Sequence, residues 1–506
     1  MSIRTLARRA QPRDYQRQAP ARSTPIPAPS MGMNTRDSVS SLDPREARSI
    51  RNMIAEQGKL RIRKGREEYA TISGASSIGT MFVHEAVDDN VMLAASDGEI
   101  YDVSTSTPSA LTSNSYNSDS WVLAQFNDTT VAVNGQDTPF AFDGSSVGAS
   151  GLSGSGLTIA NLRTVHVVGI RMWFTEVDSA DVWYLGVNAV TGALTKFQLS
   201  QETTGGYCVG VYGYRNNTSF VMSTGQIVTY QGDVEDTAGF AQSGDYRAPR
   251  PVGYDPGVDV SGDLVLMTVS GALPFEYIAS GVAFDTQALQ QWGKIAPSWA
   301  NDFVSYGAMT PWNAVFSRGL VIFNIPTADG TSKQWVFNTR TRGWSFFDNL
   351  EGFQFVEYDG DIYFGDRGSN QIWKYTGGLD DDAAVVATIR GGFIYPFQAQ
   401  VNGQYTLGRA NVTGSGTVTV QLQVDVEFQE SGITAPEIDL VTSGSGPWDE
   451  PWDGPWGTSG APILKWFGII GFGRAVAPVV QFNSQTSDLE FYATDLLAAP
   501  VSTPIG

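Results

Sequence analysis

Residues 69–378 alternate short apolar runs with turn residues, and residues 359–375 show the repeating unit most clearly. Asp359-Gly360 is a tight-turn dipeptide and Ile362-Tyr363-Phe364 a β-rich run. A second turn spans residues 366–370, and Ile372-Trp373-Lys374-Tyr375 alternates as a half-buried strand does. Looser copies occupy residues 91–103, 130–144, 221–230 and 320–347. The strongest predicted strands cover residues 164–168, 171–175, 182–185, 264–269, 320–324 and 334–338, with no helical periodicity over ten or more residues. One hairpin cannot bury its apolar face alone, so repeated copies must stack into a shared core. Aromatics recur at strand ends, as in Trp183-Tyr184, Trp335 with Phe337, Trp344 with Phe346 and Trp373 with Tyr375. The pattern predicts an all-β fold with a β-propeller over residues 69–379; blade number is not readable.

The flanks read differently. Residues 1–30 carry six arginines, five prolines and five alanines with almost no large aliphatic side chains, which predicts a disordered basic arm. Residues 31–68 form an extended docking segment. Within it Asp43 precedes Pro44, and Ala47, Ile50 and Ile54 follow at helical spacing, so one short helix is expected before Leu60-Arg61-Ile62-Arg63 enters the body as a strand. Asp380-Asp381-Asp382 reads as a hinge, and residues 380–506 as a small antiparallel β domain with strong alternation over residues 417–424. Its Trp-rich loop places Trp448, Trp452 and Trp456 among prolines. Such a comb is expected to wedge into pockets on a neighbouring surface or subunit.

Charge divides the chain of 506 residues further. Residues 1–69 hold 15 Lys and Arg against 7 Asp and Glu, leaving 17 against 45 in the rest, a net of −28. Such an acidic body is not expected to hold nucleic-acid phosphates, whose affinity comes from Lys and Arg. The single cysteine, Cys208, excludes an intrachain disulfide and reads as a buried inert thiol. His84 and His166 lie apart in β-like runs and suggest no metal site or cofactor. No window offers the ~20 apolar residues of a membrane-spanning helix.

The opening Met33-Asn34-Thr35-Arg36-Asp37, with Leu42-Asp43-Pro44-Arg45-Glu46-Ala47, resembles the amino-terminal signature of tail nozzle or packaged-DNA-stabilisation proteins of short-tailed bacteriophages. So do the Trp448-Asp449, Trp452-Asp453 and Trp456-Gly457 repeat, Gly468-Ile469-Ile470-Gly471, Ala475-Val476-Ala477-Pro478 and Phe491-Tyr492-Ala493-Thr494-Asp495 near the other end. The resemblance implies a structural virion protein without enzymatic activity or cofactor, assembled in the host cytoplasm and resident in the tail. It implies a homo-oligomeric ring, a hexamer, bound to adaptor or head–tail connector proteins and to tail fibres or a needle. Double-stranded DNA would pass through it non-specifically. Asn34, Arg36, Asp37, Trp448, Trp452 and Trp456 are the interface candidates.

Two rival readings remain in the sequence. A receptor- or carbohydrate-binding tail propeller would use exposed aromatics such as Trp299 and Trp312 as stacking platforms. A propeller glycosidase needs paired carboxylates, and no local pairing stands out. The nearest approach to a sialidase turn, residues 366–373, places its tryptophan two positions late.

Overall fold

The computed structural model describes residues 20–501 except 88–89, 114, 236–238, 281–290, 310, 328–329, 398–400 and 443–464. Its body is a ring of seven antiparallel sheets, the blades of a β-propeller, numbered here in chain order. Blades 1 to 4 begin at strands Thr80–His84, Val122–Phe126, Leu162–Val168 and Cys208–Tyr214, each followed by three more strands. Blade 5 has three strands, Gly257–Val260, Asp263–Thr268 and Gly271–Pro274. Blade 6 runs from Asn313–Ser317 to Gly343–Phe347. Blade 7 takes Gly352–Tyr358, Asp361–Asp366 and Gln371–Tyr375 from this part of the chain, and its fourth strand, Arg66–Thr71, from far upstream.

Turn chemistry sets each hairpin. At Asp97-Gly98 and Asp359-Gly360 both residues are left-handed, with φ of 49° and 80° in the first turn and 48° and 78° in the second, the mirror-image turn that suits strand twist. Apolar faces then meet between blades. Val356, Tyr363 and Ile372 of blade 7 pack on Met81 and Met92 of blade 1, closing the ring. Trp173, on blade 3, packs among Val211, Phe220 and Tyr230 of blade 4.

The second body is a β-sandwich. One sheet runs Ala47–Arg51, Ala383–Gly391, Val476–Ser484, Gly416–Val426 and Ile438–Thr442. The other runs Met53–Glu56, Lys59–Ile62, Glu490–Val501, Asn402–Thr413 and Phe467–Gly473. Ile389, Val420, Val480 and Phe482 of the first share a core with Tyr405, Val412, Phe491 and Leu496 of the second. Arg51 also bridges in parallel to Phe346 of blade 6, so the sandwich and the propeller share one continuous hydrogen-bonded sheet.

Several expectations are corrected. The helix expected after Asp43 is absent: Asp43 accepts the Arg45 amide at 2.8 Å in a turn, and Ala47–Arg51 is a strand. Its helical spacing yields to strand partners on both sides, and Ile50 is fully buried there. Disorder through residue 30 is not what the structure shows, because Arg22–Pro27 pairs antiparallel with Ala493 to Ala498. Prolines are tolerated on such an edge, and Ile26 and Ala28 are buried. Residues 1–19 lie outside the described residues.

The segment read as a docking arm is thus bound by its own chain. Nor is residue 380 a hinge. Asp381 and Asp382, at φ 52° and 66°, form a tight turn between Leu379–Asp380 and Ala383–Gly391. Finally, Ala296–Tyr306 is an eleven-residue helix with Pro297 in its first turn, where sequence periodicity suggested none. Trp299 and Phe303 on that helix pack against Trp312.

Arg63 joins these parts. Its side chain is fully buried, and its guanidinium donates to both Asp380 oxygens at 2.8 and 2.6 Å, to Asn52 Oδ1 at 2.9 Å, and to the Asp348 and Lys64 carbonyls at 2.8 and 2.7 Å. All five donors are satisfied. Arg63→Ala should cost about 3–5 kcal/mol in a denaturant titration, because it strands the buried Asp380 carboxylate. The double change Arg63→Met with Asp380→Leu should recover much of that loss.

Candidate functional site

The two motifs that frame the chain occupy two different kinds of place. Asn34 is buried and organises a polar brace. Its Oδ1 accepts the amides of Arg36 and Asp37 at 3.2 and 3.1 Å, while its Nδ2 donates to Asp37 Oδ2 at 2.8 Å and Glu46 Oε2 at 2.9 Å. Glu46 in turn pairs with the buried Lys294 at 2.6 Å. The Lys294 carbonyl accepts the amides of Thr35 and Arg36, tying the amino-terminal strap, residues 31–68, to the segment between blades 5 and 6. Arg36 and Asp37 form an ion pair at 3.0 Å on the surface. Bonding from Arg36, and then from Asn34, holds the Asp37 carboxyl below the usual carboxylate range. Of the three candidates in this motif, Asn34 therefore faces inward, and Arg36 and Asp37 remain partly accessible.

The closing motifs lie in the sandwich. Thr494 and Asp495 sit on Glu490–Val501, opposite Ile26 and Pro25 of the upstream strand. Asp495 accepts from Arg409 Nε at 2.9 Å and Asn411 Nδ2 at 3.1 Å. Gly468-Ile469-Ile470-Gly471 lies in Phe467–Gly473, the last strand of its sheet. That strand pairs with Asn402–Thr413 on one side, and among the described residues no strand pairs with its other side. It alternates strictly: Phe467 and Ile469 enter the core, whereas Ile470 is 97% exposed and Phe472 53%. Trp466, also exposed, lies under the Arg409 guanidinium at 4.8 Å. An unpaired strand edge bearing large apolar side chains is a surface built for association. The alternation was readable; that this strand ends the sheet was not. Trp448, Trp452 and Trp456 lie outside the described residues.

The remaining chemistry is inward. Cys208 is buried, which pushes its thiol up to about 12. His84 bonds Thr130 at 2.9 Å, and burial lowers the pKa of both His84 and His166. Among the described residues no three His, Cys, Asp or Glu side chains gather as metal ligands. Asp366 accepts from Trp373 Nε1 at 3.0 Å, a bond internal to blade 7. Trp299 and Trp312, the stacking platforms of the rival carbohydrate-binding reading, are both buried at the junction of blades 5 and 6, which removes them from that role.

No family model and no curated protein matches the chain. Among solved structures, the extracellular domain of the BT4673 two component system of B. thetaiotaomicron is similar at a TM-score of 0.39 and 8% identity. The alignment covers 68% of this chain and 43% of that one. A second structure of that extracellular domain gives 0.40 and 9%, covering 74% and 48%. YCF48 bound to a D1 peptide gives 0.39 and 9%, covering 65% of this chain and 97% of its own. The chain thus spans less than half the length of the first two. None of the three bears on what this chain does.

The brace makes a testable statement about Asn34. Asn34→Ala should destabilise the fold by about 1–3 kcal/mol, since it orphans buried partners. Asn34→Asp should be worse at neutral pH, because it sets a third carboxylate beside Asp37 and Glu46 and so raises the new group's folded pKa. Its deficit relative to Asn34→Ala should shrink as pH falls and that carboxyl takes a proton. Thermal melts of both variants across that pH range check the sign.

Proposed function

We propose that this chain is a structural subunit of the tail nozzle of a short-tailed bacteriophage, a homo-oligomeric ring through which packaged DNA leaves the particle. The observation that carries the reading is the strand Phe467–Gly473, unpaired on one side among the described residues, with Ile470 and Phe472 facing outward, inside one of the motifs on which the family resemblance rests. A neighbouring copy seated on that edge would cover it. Sequence charge supports the same role. A net of −20 per chain, concentrated outside the basic amino-terminal segment, repels a DNA backbone, so a ring of such chains lets DNA slide without adhering.

The closed, hydrogen-bonded architecture fits a load-bearing part. Propeller and sandwich are held in one sheet, and both motif-bearing ends are zipped together by the pairing of Arg22–Pro27 with Glu490–Val501. Adaptor and fibre proteins are the partners this role requires, with Arg36 and Asp37 among the residues still accessible to them.

Sedimentation and negative-stain electron microscopy of the full chain, alone and mixed with tails lacking it, test the proposal. A closed ring with a central opening is expected. Ile470→Asp and Phe472→Asp should abolish the ring and leave the subunit's thermal midpoint unchanged, because both side chains face solvent in the single subunit. A chain that stays monomeric under both conditions, or a ring indifferent to both substitutions, would count against it.

A further inference from the structure

The hairpin of Met53–Glu56 and Lys59–Ile62 ends in the turn Gln57-Gly58, which stands over the hairpin turns of blades 6 and 7. Between them lies a cleft of about 770 Å³, within the size range of small-molecule sites. Lys59 and Arg61 reach it from the hairpin, Lys64 from the segment that follows, and Arg318 and Arg340 from two turns of blade 6. Among the described residues two carboxylates line the same space, Glu56 and Asp361, and both are engaged. Glu56 is held by Arg61 at 2.8 Å and Lys59 at 3.6 Å, Lys59 also pairs with Glu490 outside the cleft, and Asp361 is held by Lys374 at 2.7 Å and Arg318 at 3.5 Å. Lys64 and Arg340 form no ion pair among the described residues.

Five lining cations against Glu56, Asp361 and the Glu490 that pairs with Lys59 leave a surplus of two positive charges at one cavity of a chain whose net charge is −20. Cations held together without matching carboxylates repel one another, and an anion entering the cleft relieves that repulsion while gaining charge-assisted hydrogen bonds. The field already acts on Asp361, whose carboxyl is held below the usual range chiefly by Lys374, with Lys64 and Arg318 adding to it. The floor is apolar, formed by Ile54, Leu320, Ile362 and Tyr375.

From this geometry we propose that the cleft binds a small oligophosphate, either inorganic or carried by a nucleoside. An oligophosphate packs several negative charges into a length that fits the cavity. A DNA duplex spreads its charge along an axis, at about one per 1.7 Å, and would bring only a few phosphates to one cleft. The proposal is independent of the nozzle reading, because it concerns one subunit and does not involve the Phe467–Gly473 edge.

Calorimetric titration of the full chain with inorganic tripolyphosphate, and separately with ATP, tests it at low and moderate salt. Saturable single-site binding that weakens as salt rises is expected. The double variant Lys64→Ala with Arg340→Ala, which breaks no ion pair among the described residues, should lose about tenfold or more in affinity while keeping its thermal midpoint. Arg45→Ala, which removes a surface cation outside the cleft, should bind as the parent does. Equal affinity for the two probes supports an inorganic ligand, and tighter ATP binding a nucleoside-borne one seated on the apolar floor. Absence of binding, or binding indifferent to the double variant, overturns the proposal. So does a short DNA duplex that binds more tightly than tripolyphosphate with the same dependence on Lys64 and Arg340, since the cleft would then be a nucleic-acid contact.

Discussion

A guanidinium removed from water must have every donor met, and that constraint fixes how this molecule is joined. Arg63 lies where the amino-terminal segment leaves the sandwich and enters blade 7. Its partners come from Asn52 in the same segment, from the Asp348 carbonyl just after blade 6, and from Asp380 where the carboxy-terminal region begins. Asn52, in a left-handed conformation at φ 57°, repeats the pattern by donating to Asp348 and to the Val386 carbonyl. Propeller and sandwich cannot pivot about this point without exposing unpaired buried groups. The two bodies behave as one because a single polar network spans their junction, with apolar packing added on either side.

That rigidity bears on the proposed role. A ring that guides DNA must keep its lining in place under load, and a subunit with a loose interdomain linker would let it deform. The amino-terminal strap, the buried brace around Asn34 and the strand Arg22–Pro27 all fasten the chain to itself. Two accessible surfaces among the described residues suit that role: the strand edge with Ile470 and Phe472, and the end of the brace at Arg36 and Asp37.

Much of the propeller was legible because its strands announce themselves locally. Asp-Gly turns, period-two alternation and paired aromatics placed the predicted strands at 164–168, 171–175, 320–324 and 334–338 within a residue or two of where they lie. What stayed hidden depends on contacts distant in sequence. Ala47, Ile50 and Ile54 have helical spacing, yet a strand more than 300 residues away recruits Ala47–Arg51 into a sheet. Pro25 and Pro27 suggested disorder, but an edge strand needs few of its own amide donors. Asn34 looked like a docking residue because its burial is set by Glu46 and by Lys294, which no local pattern links to it. The basic cleft was obscured by net charge. Its cations come from an amino-terminal segment rich in them and from blade 6 turns within an acidic body, and the two meet only in the fold.

The origin of the fourth strand of blade 7 bears on how the chain is made. Arg66–Thr71 leaves the ribosome about 300 residues before Gln371–Tyr375, the strand it pairs with. At roughly 5–20 residues per second, that is a wait of roughly 15–60 seconds with an unpaired strand at each growing end of the ring. The strap before it waits longer still, since Ala47–Arg51 and Arg22–Pro27 need partners from the carboxy-terminal region. Blades can form one after another during synthesis, but the circle and the sandwich are completed only near its end. An interrupted chain is therefore left with open sheet edges, and such fragments invite aggregation or capture by chaperones rather than accumulating as a smaller folded protein.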